Sequence, residues 1–404
     1  MKPDELRRYA EMIVRGCIAF RRGDTLVEMV SLGHRELAVA IAEAAYRAGA
    51  LMVDVAYEDN RIYAARIEHA PKEALGHQTP WRLAQSRAFG EESFAIVQVM
   101  GEYELDVVAD LSPERIAADS GPNRHLARIR REARLRGTIC AWPTDEWAAR
   151  VFPGLDAAKA KRKLAQELLW FCRLGPDDPP GHKGWTQHLA DLRRRAARLT
   201  KLDLKELHVV DDGTDLRLRI APFSMWRGGG EKDHWGRQIA MNVPTEECFI
   251  SPDAAATEGT FRCSRPRSFG GRMIEGLRGE FRGGKLVRLQ AKREADRDWL
   301  ARYLAATHNA DRLGEIALVD ASSRIGQTGR IYYNGLLDEN AAAHMAFGSG
   351  FAKTRTVPIG QKRYGVNRSK THIDVMIGTD ALNAFGVTQT GRRVPLVADG
   401  AWQF

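Results

Sequence analysis

Between residues 24 and 59 the apolar positions change period twice. "DTLVEMVSL" (24–32) reads as a strand, and "HRELAVAIAEAAYRAGA" (34–50) repeats its apolar residues at three- and four-residue steps, as an amphipathic helix does. "LMVDVAYED" (51–59) returns to a strand pattern, with Gly49 suited to cap the helix before it. This strand–helix–strand order favours a parallel pair. "ESFAIVQVMG" (92–101) and "GTICAWP" (137–143) add strands, and the stretch "RIAADSGPNRHLARIRREARLR" between them reads as helical. Two longer helices follow, "DAAKAKRKLAQELLWFCRL" (156–174) and "WTQHLADLRRRAARLTKL" (185–202), separated by the turn-rich "GPDDPPGHKG".

After about residue 203 the texture changes. "DLKELHVVDDGTDLRLRI" reads as two strands around an Asp-Asp-Gly-Thr turn, and glycine-punctuated segments such as "WRGGG" and "SFGGR" follow. The expected organisation is an α/β N-terminal domain with a mostly parallel sheet over residues 1–200. A mixed α+β C-terminal domain should occupy residues 201–404. The "GSG" at 348–350 lacks the third glycine of a dinucleotide fingerprint, so a Rossmann cofactor enzyme is unsupported.

Composition narrows the classes. Hydrophobic residues at 44% and charged residues at 28% are ordinary for a globular protein, and no apolar run reaches the ~18 residues of a membrane span. The opening "MKPDELRRYAEMIVRG" reads as an amphipathic helix carrying acids, unlike a targeting signal. Cysteines 17, 140, 172, 248 and 263 are odd in number with no C-x-x-C pair, which points to reduced thiols and a cytoplasmic location. The net charge of +9 makes nucleic acid worth considering. Its arginines concentrate on "RHLARIRREARLRG" (124–137) and "DLRRRAARLTK" (191–201), which read as solvated faces of amphipathic helices. No reading helix or stacking motif accompanies them, so neither a nucleic-acid nor a membrane partner is expected.

Polar residues in apolar settings carry the candidate chemistry. In "THIDVMIG" (371–378), strand alternation puts His372 and Asp374 on one side and Ile373, Val375 and Ile377 on the other. "MNVPTEECFISPD" holds adjacent glutamates 246 and 247, which an extended backbone points to opposite faces, so at most one enters a shared pocket. "RLGEIALVD" places Glu315 at the entry of a buried strand, and "LLDENAAAHMAFGSGF" places His344 on a short alanine-lined helix. Two imidazoles with three carboxylates form a ligand set suited to Zn²⁺, Co²⁺, Mn²⁺ or Fe²⁺. Five side chains exceed the needs of one open catalytic ion and suit two ions about 3.5–4 Å apart. Taken singly, each has a bland alternative: a wet strand face, a loop glutamate pair, a strand-end carboxylate, a hydrogen-bonding histidine.

The segments "NVPTEECFISPD", "LGEIALVD", "TGRIYYNGLLDENAAAHMAFGSGF" and "THIDVMIG" resemble, in order and spacing, those of the aminopeptidase T / aminopeptidase S family of bacterial metallo-aminopeptidases. The resemblance implies two domains, a homodimer and a C-terminal two-metal site. Its ligands would be Glu247, Glu315, His344, His372 and Asp374, and the ions Zn, Co, Mn or Mg. It implies cleavage of N-terminal residues from peptides by a metal-activated water, and Glu246 is a candidate general base or amine anchor. Seven residues after His344, where the family usually has a tyrosine, this chain has Phe351. That departure leaves open two alternatives on a similar scaffold: hydrolysis of a small aromatic amine of the nitroaminobenzoate type, and Fe(II)-dependent ring cleavage.

Overall fold

The computed structural model describes residues 3–88, 94–101, 103–119, 136–356 and 365–404. Most of the basic stretch 124–137 and of the helical reading before it lies outside the described residues.

The alternation read in the first half becomes a five-stranded parallel sheet. Its spatial order is Asn242–Val243, Arg136–Ala141, Phe94–Met100, Thr25–Ser31, Met52–Glu58. The first and second strands in sequence are neighbours joined through the Arg35–Arg47 helix, as the 24–59 pattern requires. Helices Pro3–Glu11, Ala157–Phe171 and Lys183–Lys201 contribute to the same core through Tyr9, Leu164, Leu168 and Trp185. On the last of these, Leu189, Leu192 and Leu199 are buried, while its arginines find local partners: Arg193 donates to the Gly229 carbonyl at 2.7 Å, and Arg195 and Arg198 sit over the Trp402 and Phe404 rings.

The edge strand Asn242–Val243 belongs in sequence to the second half, yet it pairs with Ile139 and Cys140 in the first sheet. A buried ionic knot lies beside it. The Arg136 and Arg237 guanidinium groups each donate to Asp24 Oδ2, at 2.8 and 2.9 Å. Removing one member would leave uncompensated charge in the core, so the knot fixes one arrangement of the two halves.

The second half is mostly β. An eight-stranded antiparallel sheet includes the Leu204–Asp211 and Thr214–Arg219 hairpin, whose turn uses Gly213 at φ +73°. A second, five-stranded antiparallel sheet runs His372–Met376, His344–Gly348, Leu313–Leu318, Cys248–Ile250, Arg227–Gly228. The two sheets share one hydrophobic core. Phe347 of the smaller sheet meets Phe261 and Phe281 of the larger, with ring centroids 5.8 Å apart in both cases.

Glu28 breaks the hydrophobic pattern of the parallel sheet. It is fully buried on the Thr25–Ser31 strand, level with Val97 and Thr138, and its carboxylate has no hydrogen-bond partner among the described residues. Burial pushes its carboxyl up to about 8. The folded protein therefore keeps a proton that the unfolded chain releases near pH 4.5, so stability falls as pH rises from about 4.5 towards 8. Glu28→Gln is expected to flatten that slope. Melting temperatures of metal-stripped protein should diverge between variant and parent from pH 5 to pH 8.5, with the variant the more stable at the alkaline end.

Candidate metal centre

The five candidate residues sit on, or at the end of, adjacent strands of the smaller antiparallel sheet. Glu315 lies opposite Ala346, and Ala346 opposite Asp374, so all three share a row and a face. His344 opposite Ala317, and His372 opposite Gly348, extend the same face by one pleat in each direction. The small residues Ala317, Ala346 and Gly348 leave room between the polar ones. On the reverse face, Ile316, Leu318, Met345, Phe347, Ile373 and Val375 enter the core. The parity read in "THIDVMIG" is therefore the parity of the whole sheet.

Contacts across this face are short. His344 Nε2 lies 3.1 Å from Glu247 Oε2; His372 Nε2 lies 3.0 Å from Glu315 Oε2 and 3.1 Å from Asp374 Oδ1. Each imidazole turns its other nitrogen to a backbone carbonyl: His344 Nδ1 to Ala342 at 3.3 Å, and His372 Nδ1 to Ser349 at 2.7 Å. The second contact exists because the chain turns sharply at Gly348, where φ is +93° and a Cβ would lie 2.2 Å from the Thr371 carbonyl. A carbonyl at Nδ1 leaves the Nε2 lone pair facing the carboxylates, which is how metal-binding histidines are oriented.

Glu247, Glu315, His344 and Asp374 are buried; the His372 side chain keeps 28% of its surface and marks the open side. Burial works against the His344 imidazolium, yet its hydrogen bond and charge pairing with Glu247 hold it up at about 10. Burial likewise opposes charge on His372, but Asp374 and Glu315 raise it well above its ordinary value. Burial pushes Glu315 up to about 7 against the His372 hydrogen bond. Asp374, although desolvated, is held well below the carboxylate range by His372. Within each of two groups, Glu247–Glu315–His344 and Glu315–His372–Asp374, the ligand atoms lie within 4.8 Å of one another. This donor set, with its paired positive and negative groups in a buried recess, fits a divalent cation.

The described chain matches the family of thermophilic metalloproteases, M29, over residues 2–402. The chain belongs to the M29 metalloprotease family. It is 33% identical to aminopeptidase T of Thermus aquaticus, covering 99% of this chain and 98% of that one. A solved structure of AmpT from Thermus thermophilus superposes with a TM-score of 0.87 at 30% identity, covering 99% of both chains. The structure of 2,5-dihydroxypyridine dioxygenase from Pseudomonas putida has a TM-score of 0.52 at 14% identity over 98% of both chains, a likeness of fold alone. The resemblance drawn from four motifs is borne out, as is the α/β-plus-mixed architecture. M29 membership makes the protein a metal-dependent hydrolase, and the aromatic-amine and ring-cleaving alternatives are not favoured.

One local expectation needs correcting. His344 does not lie on a helix. The Gly335–Glu339 helix ends before the alanines, and His344 opens a strand. Alanine favours a helix locally, but Asn340 ends it: its Nδ2 donates back to Leu336 O at 2.9 Å, while its Oδ1 accepts the Glu246 N–H at 2.8 Å. The ladder with Ala317 and Met376 then takes over.

Glu246 is not brought to the cluster. Its carboxylate points the other way, gripped by Arg173 with Nη1–Oε1 at 2.5 Å and Nη2–Oε2 at 3.1 Å, and His188 lies 3.5 Å away. A carboxylate that sequence reading passed over does face the cluster: buried Glu339, whose carboxyl is pushed well above its ordinary value by burial and by the neighbouring Asp374, against the pull of His344. It accepts from Asn242 Nδ2 at 3.3 Å. Its position five residues before His344 was the available signal.

Phe351 sits at the open side of this candidate centre, 39% exposed, with its ring 5.1 Å from His372 and 5.0 Å from Phe249. The ring is in place and the hydroxyl is missing. Phe351→Tyr is expected to raise kcat for peptide hydrolysis by roughly tenfold or more with little change in KM, since a donor at a developing oxyanion acts mainly in the transition state. Steady-state kinetics of the two proteins, matched for metal content, make the comparison.

Proposed function

We propose that the protein is an aminopeptidase with a two-ion centre, removing residues from the amino terminus of peptides. The observation that carries this reading is Glu315, the carboxylate common to both ligand groups. A carboxylate shared between two nitrogen-and-oxygen sets suits two ions about 3.5–4 Å apart. On this reading Glu247, Glu315, His344, His372 and Asp374 would hold the ions, with Glu315 within reach of both groups. Zn²⁺, Co²⁺, Mn²⁺ and Mg²⁺ are the candidate ions. Such a pair, when bound, supplies polarisation of the scissile carbonyl and a lowered pKa for the attacking water.

The remaining work falls to the chain's own groups. Glu339, held by Asn242 beside the ligands, is assigned as the acceptor of the proton that the attacking water gives up, and as its donor to the departing amine. Phe249 and Phe351 form an apolar wall beside His372 for the side chain of the residue being removed. Glu246, gripped by Arg173, acts by positioning the segment that ends in Glu247. The names of the similar aminopeptidases support the substrate class. A homodimer in the cytoplasm is proposed as the working form, with the family resemblance and five unpaired cysteines as its support.

Exhaustive chelation is expected to abolish cleavage of Leu-p-nitroanilide and dipeptides, with activity returning on addition of single metals. Because both imidazoles are held protonated without an ion, uptake should release protons and weaken as pH falls, measurable by calorimetry in buffers of different ionisation enthalpy. Full activity after chelation would overturn the reading. Glu339→Gln is expected to retain metal by elemental analysis while kcat falls by on the order of a hundredfold.

A further inference from the structure

Arg267 stands apart from the other arginines around the centre. Arg265 donates to the Arg330 carbonyl at 2.6 Å and lies 3.6 Å from Asp338, and Arg272 pairs with Asp110 and Asp296. The Arg267 guanidinium has no hydrogen-bond or ion-pair partner among the described residues. Its Nε is buried without one, and the residue as a whole is half-buried rather than splayed into solvent.

Its location is set by two contacts. The Arg267–Phe269 strand packs against His372–Met376, the strand bearing His372 and Asp374. Three residues earlier, the Ser264 N–H donates to the Met376 carbonyl at 2.9 Å and ties the segment to the same strand. The side chain then crosses the start of the Gly335–Glu339 helix. A Cβ on Gly335 would lie 2.1 Å from Arg267 Nη1 and 3.0 Å from Cζ, so the guanidinium occupies space that only glycine leaves free. From there its charge acts on Asp374, Glu339 and Asp338.

Charge balance gives this placement a meaning. Asp338 is already served by Arg265 and by the Tyr332 and Asn334 N–H groups. Divalent ions would compensate Glu247, Glu315 and Asp374, and Glu339 is kept for proton transfer, which leaves the Arg267 fork as positive charge at the edge of the centre. A planar, partly desolvated guanidinium with free donors is matched by a carboxylate, which it can hold through two parallel hydrogen bonds. Resting on the aminopeptidase reading, we infer that Arg267 is a specificity-determining residue that binds a carboxylate of the substrate, the C-terminal carboxylate of a dipeptide.

The test compares Leu-Leu, Leu-Leu amide and Glu-Leu amide on metal-loaded protein. The free carboxylate of Leu-Leu should raise kcat/KM at least tenfold over its amide, chiefly through KM. Arg267→Met should bring that ratio close to one, and Arg267→Lys should retain part of it. Gly335→Ala, whose methyl group takes the space of Nη1 and displaces the guanidinium while the arginine itself is retained, should lower the same ratio. Loss confined to Glu-Leu amide would assign the bound carboxylate to the first side chain and overturn the dipeptide assignment. An unchanged ratio, or an equal fall on all three substrates with unchanged melting temperature and metal content, would overturn the role of Arg267 altogether. A dipeptide isostere with a reduced CH₂–NH bond, titrated calorimetrically, reads the same contact without turnover. Tighter binding of its acid than its amide, lost in Arg267→Met, would support the role even if no peptide were cleaved; a wild-type protein inactive on every peptide would count against the aminopeptidase reading alone.

Discussion

Buried carboxylates need positive charge close by, and the C-terminal half is arranged around that requirement. Glu247, Glu315 and Asp374 are all nearly withdrawn from water on one face of one sheet. Ionised carboxylates in such a place are costly unless paired and hydrogen-bonded. The imidazoles of His344 and His372 meet part of that demand, and the direction of every shift across the face follows from it. A cation meets the demand better than a proton, because it accepts several carboxylate oxygens at once and leaves the imidazoles neutral as ligands.

The antiparallel sheet makes this convergence possible. Neighbouring strands lie about 4.8 Å apart, so groups on one face of adjacent strands fall naturally into reach of one another. Alanines and glycine at the intervening positions keep the face open, while large aliphatic and aromatic side chains on the reverse fasten the sheet to its larger partner. The rigidity of the centre is therefore that of a hydrophobic core one residue away. Contacts behind the candidate ligands, such as Asn340 with the Glu246 N–H and the Ser349 carbonyl with His372, set orientation rather than chemistry.

Much of this was legible in the sequence where local rules and tertiary outcome agree. The 24–59 alternation, the 204–219 hairpin, the shared side of His372 and Asp374, and the opposed directions of Glu246 and Glu247 all follow from periodicity. His344 was misplaced because the alanines before it favour a helix, whereas strand pairing with Ala317 and Met376 depends on partners distant in sequence. Glu339 and Arg267 were passed over for a related reason. Glu339 offered only its short separation from His344, Arg267 offered no spacing at all, and each gains significance only when Asn242 or the helix start at Gly335 arrives from elsewhere in the chain.

The short Asn242–Val243 strand closes the outer edge of the parallel sheet, and its asparagine reaches Glu339 beside the candidate metal centre. One dipeptide thus serves both as the last rung of one fold and as a brace for the chemistry of the other. If residues 1–200 were produced as an independent fragment, the Arg136–Ala141 strand would be left with bare amide and carbonyl groups along one side, an adhesive border open to any extended chain. The two halves are consequently interdependent as folding units, and a gene split at their apparent seam would yield a sticky fragment rather than a spare module.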